Sequence, residues 1–159
     1  MINFIPLFPL NIVVYPGEKV NLHIFEERYK QLINDIEVSK KLFGIPCILE
    51  NKICATGCTM SLEKIVQKYD DGKMDIATQG MQVFTIIEMV EEVPGKLYQG
   101  AIVAYPDNIT QSKFIVKNKV LKMARALHDA LHISNPFPKT DKEMTSYDLA
   151  HSIGLSLTE

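Results

Sequence analysis

The sequence predicts an α+β fold, in which a curved, barrel-like β-sheet is followed by a helical extension. Short β-like apolar segments recur from residue 2 to residue 105, whereas a helical period dominates from Thr110 onward. Gly80 interrupts the apolar face of the strand predicted over residues 74–87, and an isolated glycine inside a strand is typical of a bulge or corner. A chain of 159 residues has the size of one ordinary domain.

The first long strand and the helix after it are marked by a change of period. Alternation over residues 20–24 predicts a half-buried strand, with His23 on the face opposite the aliphatic row. A period of three and four residues then predicts an inserted helix over residues 25–37. We expect Glu26 and Lys30 to form an i, i+4 ion pair on it. The stripe predicted to pack on the sheet is Phe25, Tyr29, Leu32 or Ile33, and Ile36.

Two hairpins and a final strand follow. Residues 42–49 and 53–57 flank a three-residue loop, which predicts a short hairpin. Residues 59–69 and 74–87 flank a turn that contains Asp-Gly, a pair that readily supplies the positive φ angles of a tight reversal. Residues 101–105 form a continuous apolar run, which is typical of a strand buried on both faces.

The helical extension is predicted to begin near Thr110 with one amphipathic helix. Its core-facing stripe is Val116, Val120, Ala124, Leu127 and Leu131. We interpret the basic face as solvated surface, and its members are Lys113, Lys117, Lys119, Lys122 and Arg125. A break at Asn135, Pro136 and Pro138 precedes a short helix. Thr145 and Asp148 are spaced to cap the start of this helix, and Gly154 is expected to close it.

The last residues carry a further signal for the start of a helix. Ser156 and Glu159 have the S-x-x-E spacing of a capping box, yet the sequence stops at the third position of the helix that they announce. We therefore expect this chain to be a truncated version of a longer protein.

Charge and composition disfavour several functional classes. The formal net charge is −2, so the chain lacks the basic excess of most nucleic-acid-binding proteins. No apolar run is long enough for a membrane-spanning helix, and no Lys or Arg precedes Lys19 as a signal peptide requires. Cys47, Cys54 and Cys58 are odd in number and lack CxxC spacing, which favours free thiols in a reducing cytoplasm.

The sequence motifs of common catalytic sites are missing. Gly95 and Gly100 have the glycine spacing of a Walker A loop, but Ala101 follows them instead of lysine. No two glycines stand two residues apart, which excludes a G-x-G-x-x-G fingerprint, and no serine has the glycine context of a nucleophile elbow. We therefore predict a protein that is not an enzyme and that uses no cofactor.

The segment HDALH is the candidate for metal chemistry. His128 and His132 stand four residues apart, as in H-E-x-x-H zinc proteases, and His151 is the further candidate ligand downstream. Asp129 replaces the glutamate that serves as general base in those proteases. We interpret both histidines as boundary residues beside the core stripe, and a metal-dependent hydrolase remains an alternative.

The stretches LFPLNIVVYPG (residues 7–17) and LHIFEERY (residues 22–29) resemble the amino-terminal, substrate-binding domain of Lon-type ATP-dependent proteases. Later landmarks of that family recur in order along nearly the whole chain. We interpret the matching residues as structural, and they are Phe8, Pro9, Leu10, Pro16, Gly17, Phe25, Glu26, Arg28, Tyr29, Gly57, Asp71, Gly72, Gly80 and Phe84. Two positions depart from the family pattern: Asn21 stands where proline is frequent, and Val83 stands where arginine is usual.

The resemblance implies a PUA-like pseudo-barrel over residues 1–106 and a helical extension over residues 107–159. It implies a non-catalytic module that recognises unfolded or damaged polypeptides and lacks the Walker A and Ser-Lys elements of the full proteases. Self-association and a Lon-type protease are further candidate partners. PUA-like folds elsewhere bind RNA, so an RNA-binding module is an alternative, although the net acidity counts against it.

Overall fold

The structure is a computed structural model that describes residues 3–109, 112–134, 137, 139–150 and 152–159. The chain divides into two compact units, Met1–Asp107 and Asn108–Glu159. No helix within these described ranges is long and apolar enough to cross a membrane.

Unit 1 contains six strands and one helix among its described residues, and every strand pair is antiparallel. Its elements are β1 (Phe4–Pro6), β2 (Lys19–Ile24), α1 (Glu27–Ser39), β3 (Phe43–Leu49), β4 (Lys52–Lys68), β5 (Met74–Val90) and β6 (Gly100–Ala104). The strand order is β1-β6-β5-β4-β3, and β2 pairs with β5 outside this path. The predicted α+β class, a mostly antiparallel sheet with few helices and a helical extension, is confirmed.

The two longest strands of the sheet, β4 and β5, pair with each other. β4 and β5 are joined at residues 70–73, where the predicted Asp-Gly turn forms and Gly72 takes a φ of +79°. The prediction that residues 53–57 and 59–69 are separate strands was wrong, because β4 runs through Gly57 without a break. One strand therefore belongs to both hairpins and pairs with β3 on one side and β5 on the other.

The main core lies where α1 packs on the sheet. α1 buries Tyr29, Leu32, Ile33 and Ile36, as its period predicted. They join residues from the strands, from the chain before β2 and from the loop before β6, so that the buried cluster comprises Phe8, Val14, Ile24, Tyr29, Leu32, Ile33, Ile36, Phe43, Ile45, Cys58, Met60, Met74, Ile76 and Tyr98.

The predicted start of this helix and the burial of its first aromatic residue were wrong. α1 begins at Glu27, because Glu26 still has an extended backbone with φ −76° and ψ 138°. Side chains alternate along extended chain, so Phe25 lies on the face opposite the buried Ile24. Phe25 is 58% exposed and does not pack in the core.

Unit 2 contains α2 (Phe114–Ala130) and the short α3 (Ser146–Ala150). α2 begins four residues after the predicted Thr110, which lies outside the described residues, as do Asn135, Pro136 and Pro138 of the predicted break. Thr145 and Asp148 form the predicted cap, with Asp148 Oδ2 accepting the Thr145 N–H at 2.8 Å. α3 ends at Ala150, four residues before Gly154, where we predicted its end.

The predicted core face of α2 was largely wrong. The residues that it buries are Leu121, Ala124 and His128. Leu121 and Ala124 pack with Met144 and Leu149 into a small core. Of the predicted stripe only Ala124 is buried, whereas Val116, Val120, Leu127 and Leu131 are exposed. The helix has two apolar faces, and a helical period alone does not choose between them.

Candidate functional site

The EERY residues pair with one another and pack the start of α1 on the chain between β1 and β2. Glu26 accepts two hydrogen bonds from Arg28, at 2.9 Å from Nε and 2.7 Å from Nη2. The Arg28 guanidinium lies 4.5 Å from the centre of the Tyr29 ring, which stacks on Phe8 at 4.0 Å. The predicted pairing of Glu26 with Lys30 was wrong, because Lys30 instead pairs with Glu27 at 2.7 Å.

Two of the four motif glycines, Gly57 and Gly80, lie where a side chain would collide. A Cβ at Gly57 would sit 2.5 Å from the Phe84 ring, and one at Gly80 would sit 2.3 Å from the Tyr15 carbonyl oxygen. The turn residue Asp71 accepts a hydrogen bond from Lys30 of α1 through its backbone oxygen at 3.0 Å. The remaining motif residues line the chain between β1 and β2, and they are Pro9, Leu10, Pro16 and Gly17.

The pairing of β2 with β5 decides which backbone groups of β2 point outward. The register runs without a shift along all of β2. Directly before β2, the Gly80 N–H donates to the Glu18 backbone oxygen at 2.8 Å, so the pair of Glu18 and Gly80 is hydrogen-bonded. Hydrogen-bonded and non-hydrogen-bonded pairs alternate along an antiparallel ladder. Lys19, Asn21 and His23 therefore occupy non-hydrogen-bonded positions, and their N–H and C=O groups point away from β5.

The outer edge of β2 is available for pairing. No other described strand lies beside it, and no backbone group of the described residues bonds to Lys19, Asn21 or His23 from that side. The same three side chains are exposed, whereas Val20 and Leu22 are half-buried on the other face. β2 thus offers a regular row of three unpaired donors and three unpaired acceptors.

The other edges of the sheet are covered or irregular within the described residues. Two bulges interrupt the second half of β4, where Lys68 also pairs with Glu37 of α1 at 2.9 Å. The chain after β1 covers β3, with the Phe8 N–H donating to Gly44 at 2.7 Å. β1 is three residues long and ends at Pro6. Bulges, short length and proline all discourage pairing with a further strand.

Exposed aromatic and aliphatic side chains extend from the end of β2 across β5 toward β4. We name this set the β2 patch, and its members are His23, Phe25, Val66 and Tyr69. The His23 ring lies 6.2 Å from the Phe25 ring and 6.0 Å from the Tyr69 ring, measured between centroids. Val66 is 58% exposed and lines a shallow groove of about 510 Å³ together with His23.

Asp75 joins two members of the β2 patch by hydrogen bonds. Its carboxylate accepts hydrogen bonds from His23 Nδ1 and from the Tyr69 hydroxyl, each at 2.6 Å. The hydrogen bond from Tyr69, followed by that from His23, lowers the pKa of Asp75, and the same bond raises the pKa of Tyr69. The described residues that line the groove include no hydroxyl or thiol to serve as a nucleophile beside His23. The arrangement can hold side chains and can hydrogen-bond to a polypeptide backbone.

The two histidines of the metal alternative are not brought together on one helix face. His128 is buried, its Nε2 lies 2.7 Å from the Ser152 carbonyl oxygen, and its ring packs on Phe137 at 4.8 Å. α2 ends at Ala130, so His132 lies beyond it, with a left-handed φ of 54°. The boundary interpretation of His128 was therefore wrong, since it is a core residue. The third candidate, His151, lies outside the described residues.

The sequence matches the family of the ATP-dependent protease La (LON) substrate-binding domain over residues 5–155. The chain belongs to this family. The Lon N-terminal domain protein from Xanthomonas campestris has a similar fold, with a TM-score of 0.65, 22% identity, and coverage of 89% of this chain and 86% of that chain. The N-terminal domain of Mycobacterium avium complex Lon protease is also similar, with a TM-score of 0.64, 13% identity, and coverage of 82% of this chain and 68% of that chain. No curated protein sequence matches the chain.

Membership in the family of Lon substrate-binding domains indicates the general role of this chain. The Lon substrate-binding domain is a non-catalytic module for recognition of protein substrates. Reasoning from the sequence missed both the open edge of β2 and the cluster of His23, Asp75 and Tyr69. His23 and Asp75 are 52 positions apart, so only the pairing register of β2 with β5 could have placed them side by side.

Proposed function

We propose that this Lon substrate-binding domain captures unfolded polypeptide segments by adding them as a strand to the outer edge of β2. The observation that carries the proposal is the outward row of N–H and C=O groups at Lys19, Asn21 and His23. An added strand would bond to this row through its own main chain, which every polypeptide possesses. Recognition of this kind has little dependence on sequence, as a substrate-recognition module requires.

The β2 patch supports the edge by receiving apolar side chains of the added strand. Alternate side chains of a strand point to the same face, so every second client residue would lie on the side of His23 and Phe25. Aromatic rings offer a large contact area with an apolar body. Folded proteins bury most of their apolar side chains and pair most of their strand edges. The open edge of β2 and the β2 patch together therefore favour unfolded clients.

The domain is proposed to do this in the cytoplasm and without chemistry of its own. Cys47, Cys54 and Cys58 are free thiols, which suits a reducing compartment. ATP-driven unfolding and peptide cleavage would then be supplied by other domains or by a partner protease.

The substitution Asn21→Pro tests the proposal at the centre of the edge, where this chain has an outward donor in place of the proline that is frequent in the family. The Asn21 N–H points away from β5, so proline removes an outward donor and leaves the β2–β5 hydrogen bonds in place. Proline is tolerated in an edge strand when its nitrogen faces solvent. The matched control, Asn21→Ala, removes the side chain and keeps the donor.

Binding is measured by fluorescence anisotropy with labelled β-casein, an unfolded probe. We expect Asn21→Ala to bind within about twofold of the wild type and Asn21→Pro at least about tenfold more weakly, because a main-chain hydrogen bond is lost and the ring blocks the edge. Hydrogen exchange should show protection of the amides of Lys19, Asn21 and His23 when casein is bound. Equal binding by a folded Asn21→Pro variant would overturn the mode. Absence of casein binding, with salt-dependent retention on single-stranded RNA, would overturn the function in favour of RNA binding.

A further inference from the structure

α2 carries an apolar face that the core of unit 2 does not use. We name it the α2 stripe, and its members are Val116, Val120, Met123 and Leu127. These four side chains are between 40% and 63% exposed. The core-facing side of the same helix is formed by Leu121, Ala124 and His128, about a third of a turn away. The exposed stripe is therefore a second surface.

The spacing of the α2 stripe is that of a helix-pairing surface. Its members are separated by four, three and four residues. Alternating steps of four and three residues separate the a and d positions of a coiled coil, which turn toward a partner helix. A strict a/d stripe is narrower than the apolar face with which a helix usually covers a globular core.

A hollow at the amino-terminal part of the α2 stripe adds shape to this surface. Val116 and Val120 form one wall of a groove of about 220 Å³, and Met144, Tyr147 and Leu149 lie on its other sides. This volume is below that of pockets for drug-sized ligands. It suits one apolar side chain of a docked helix.

The charge on α2 identifies the chemistry of the partner. Between Phe114 and Ala130 the helix carries four basic residues and one acidic residue, Asp129. Lys117 donates to the Lys142 backbone oxygen and Arg125 pairs with Asp141. Within the described part of the chain, Lys119 and Lys122 form no ion pair. Lys119 borders the stripe, and Lys122, three residues later, extends the uncompensated positive charge outward on the same side of the helix.

We propose that the α2 stripe docks an amphipathic helix of a partner protein whose apolar a and d positions are flanked by acidic residues. Glutamates on the partner would pair with Lys119 and Lys122, as flanking charges select partners in coiled coils. A second copy of this chain is a poorer occupant, because two such helices would bring lysines together. An anionic membrane is also poorer, because the stripe is narrow and has no tryptophan.

Two designed peptides of three heptads test this proposal with the full chain. Both have leucine at a and d, and they differ only at e and g, where one has glutamate and the other lysine. By anisotropy, we expect the glutamate peptide to bind at least about tenfold more tightly, with an affinity that falls as salt rises. The double variant Lys119→Glu with Lys122→Glu should reverse the preference, which a merely sticky surface would not do.

Met123→Glu places a charge in the middle of the α2 stripe, and Val38→Glu places one on an exposed position of α1 as the matched control. Both side chains are exposed, so both variants should fold. Loss of glutamate-peptide binding with Met123→Glu alone supports the proposal. Equal binding of both peptides, binding of neither, or loss with both variants overturns it. Two other results would also overturn it. In the first, the wild-type chain forms a dimer in sedimentation that Met123→Glu abolishes; in the second, the wild-type chain binds phosphatidylserine vesicles and Met123→Glu abolishes that binding.

Discussion

Phe8 and Phe25 both belong to the motif shared with the Lon family, and truncating each to alanine should separate packing from binding. Phe8 is 5% exposed and stacks on Tyr29, whereas Phe25 is 58% exposed on the β2 patch. Removing a buried phenylalanine side chain costs about 3 to 5 kcal/mol of unfolding free energy. At about 1.5 kcal/mol per M of urea, Phe8→Ala should lower the unfolding midpoint by about 2 to 3 M.

Phe25→Ala should behave in the opposite way in the same urea titration, followed by circular dichroism of the sheet. Its unfolding free energy should stay within about 0.5 kcal/mol of the wild type, since substitutions of exposed side chains away from special contacts have small effects. Its binding to labelled casein should weaken about tenfold if the ring holds client side chains. A midpoint as low as that of Phe8→Ala would show that Phe25 is a core residue after all, and would refute the assignment of the patch.

Two further substitutions test the close approach at Gly80 and the charge at Asp75. Gly80→Ala should destabilise unit 1 by about 3 kcal/mol or more in urea, because its Cβ would lie 2.3 Å from the Tyr15 backbone oxygen; a wild-type midpoint would contradict this contact. The pKa of Asp75 is lower in the folded chain than its ordinary value of 3.8, so the carboxylate stabilises the fold above that pH and loses this effect as the pH falls below it. Asp75→Asn should therefore unfold with a shallower dependence on pH below about 4, and an unchanged slope would show that Tyr69 and His23 do not favour the charged form.

The parts of the fold that the sequence predicted are those in which one local pattern has one solution. Alternation over β2 leaves only one apolar face to bury. The period of α1 likewise brings Tyr29, Leu32 and Ile36 to a single stripe. The turn before β5 needs positive φ, and Gly72 supplies it.

The errors arose where a local pattern had two solutions. Phe25 lies between a strand and a helix. Its side chain would face the core if the backbone were helical at this position, and it faces solvent because the backbone is extended. α2 has apolar residues on two faces, and the choice of Leu121 over Val120 depends on Met144 and Leu149, which come more than twenty positions later.

The candidate edge could not be predicted for a related reason. An unpaired strand edge is a property of the backbone, and it has no composition of its own. β2 becomes an edge strand because it pairs with β5, more than fifty positions away, and with no second strand among the described residues. Only the complete set of strand pairings shows which strand remains half-paired.

An open edge also invites association between copies, and the residues of β2 explain how a client can be favoured over a second copy. Two antiparallel β2 edges centred on Asn21 would set Lys19 of each copy opposite His23 of the other, and so place polar exposed side chains against one another. Charged and polar residues on an edge weaken such pairing. An unfolded client is not held to one register, so it can shift until its own apolar residues lie beside Phe25. The same short polar edge that discourages self-pairing can thus accept clients in several registers, and this tolerance is what a binder of unspecified unfolded segments needs.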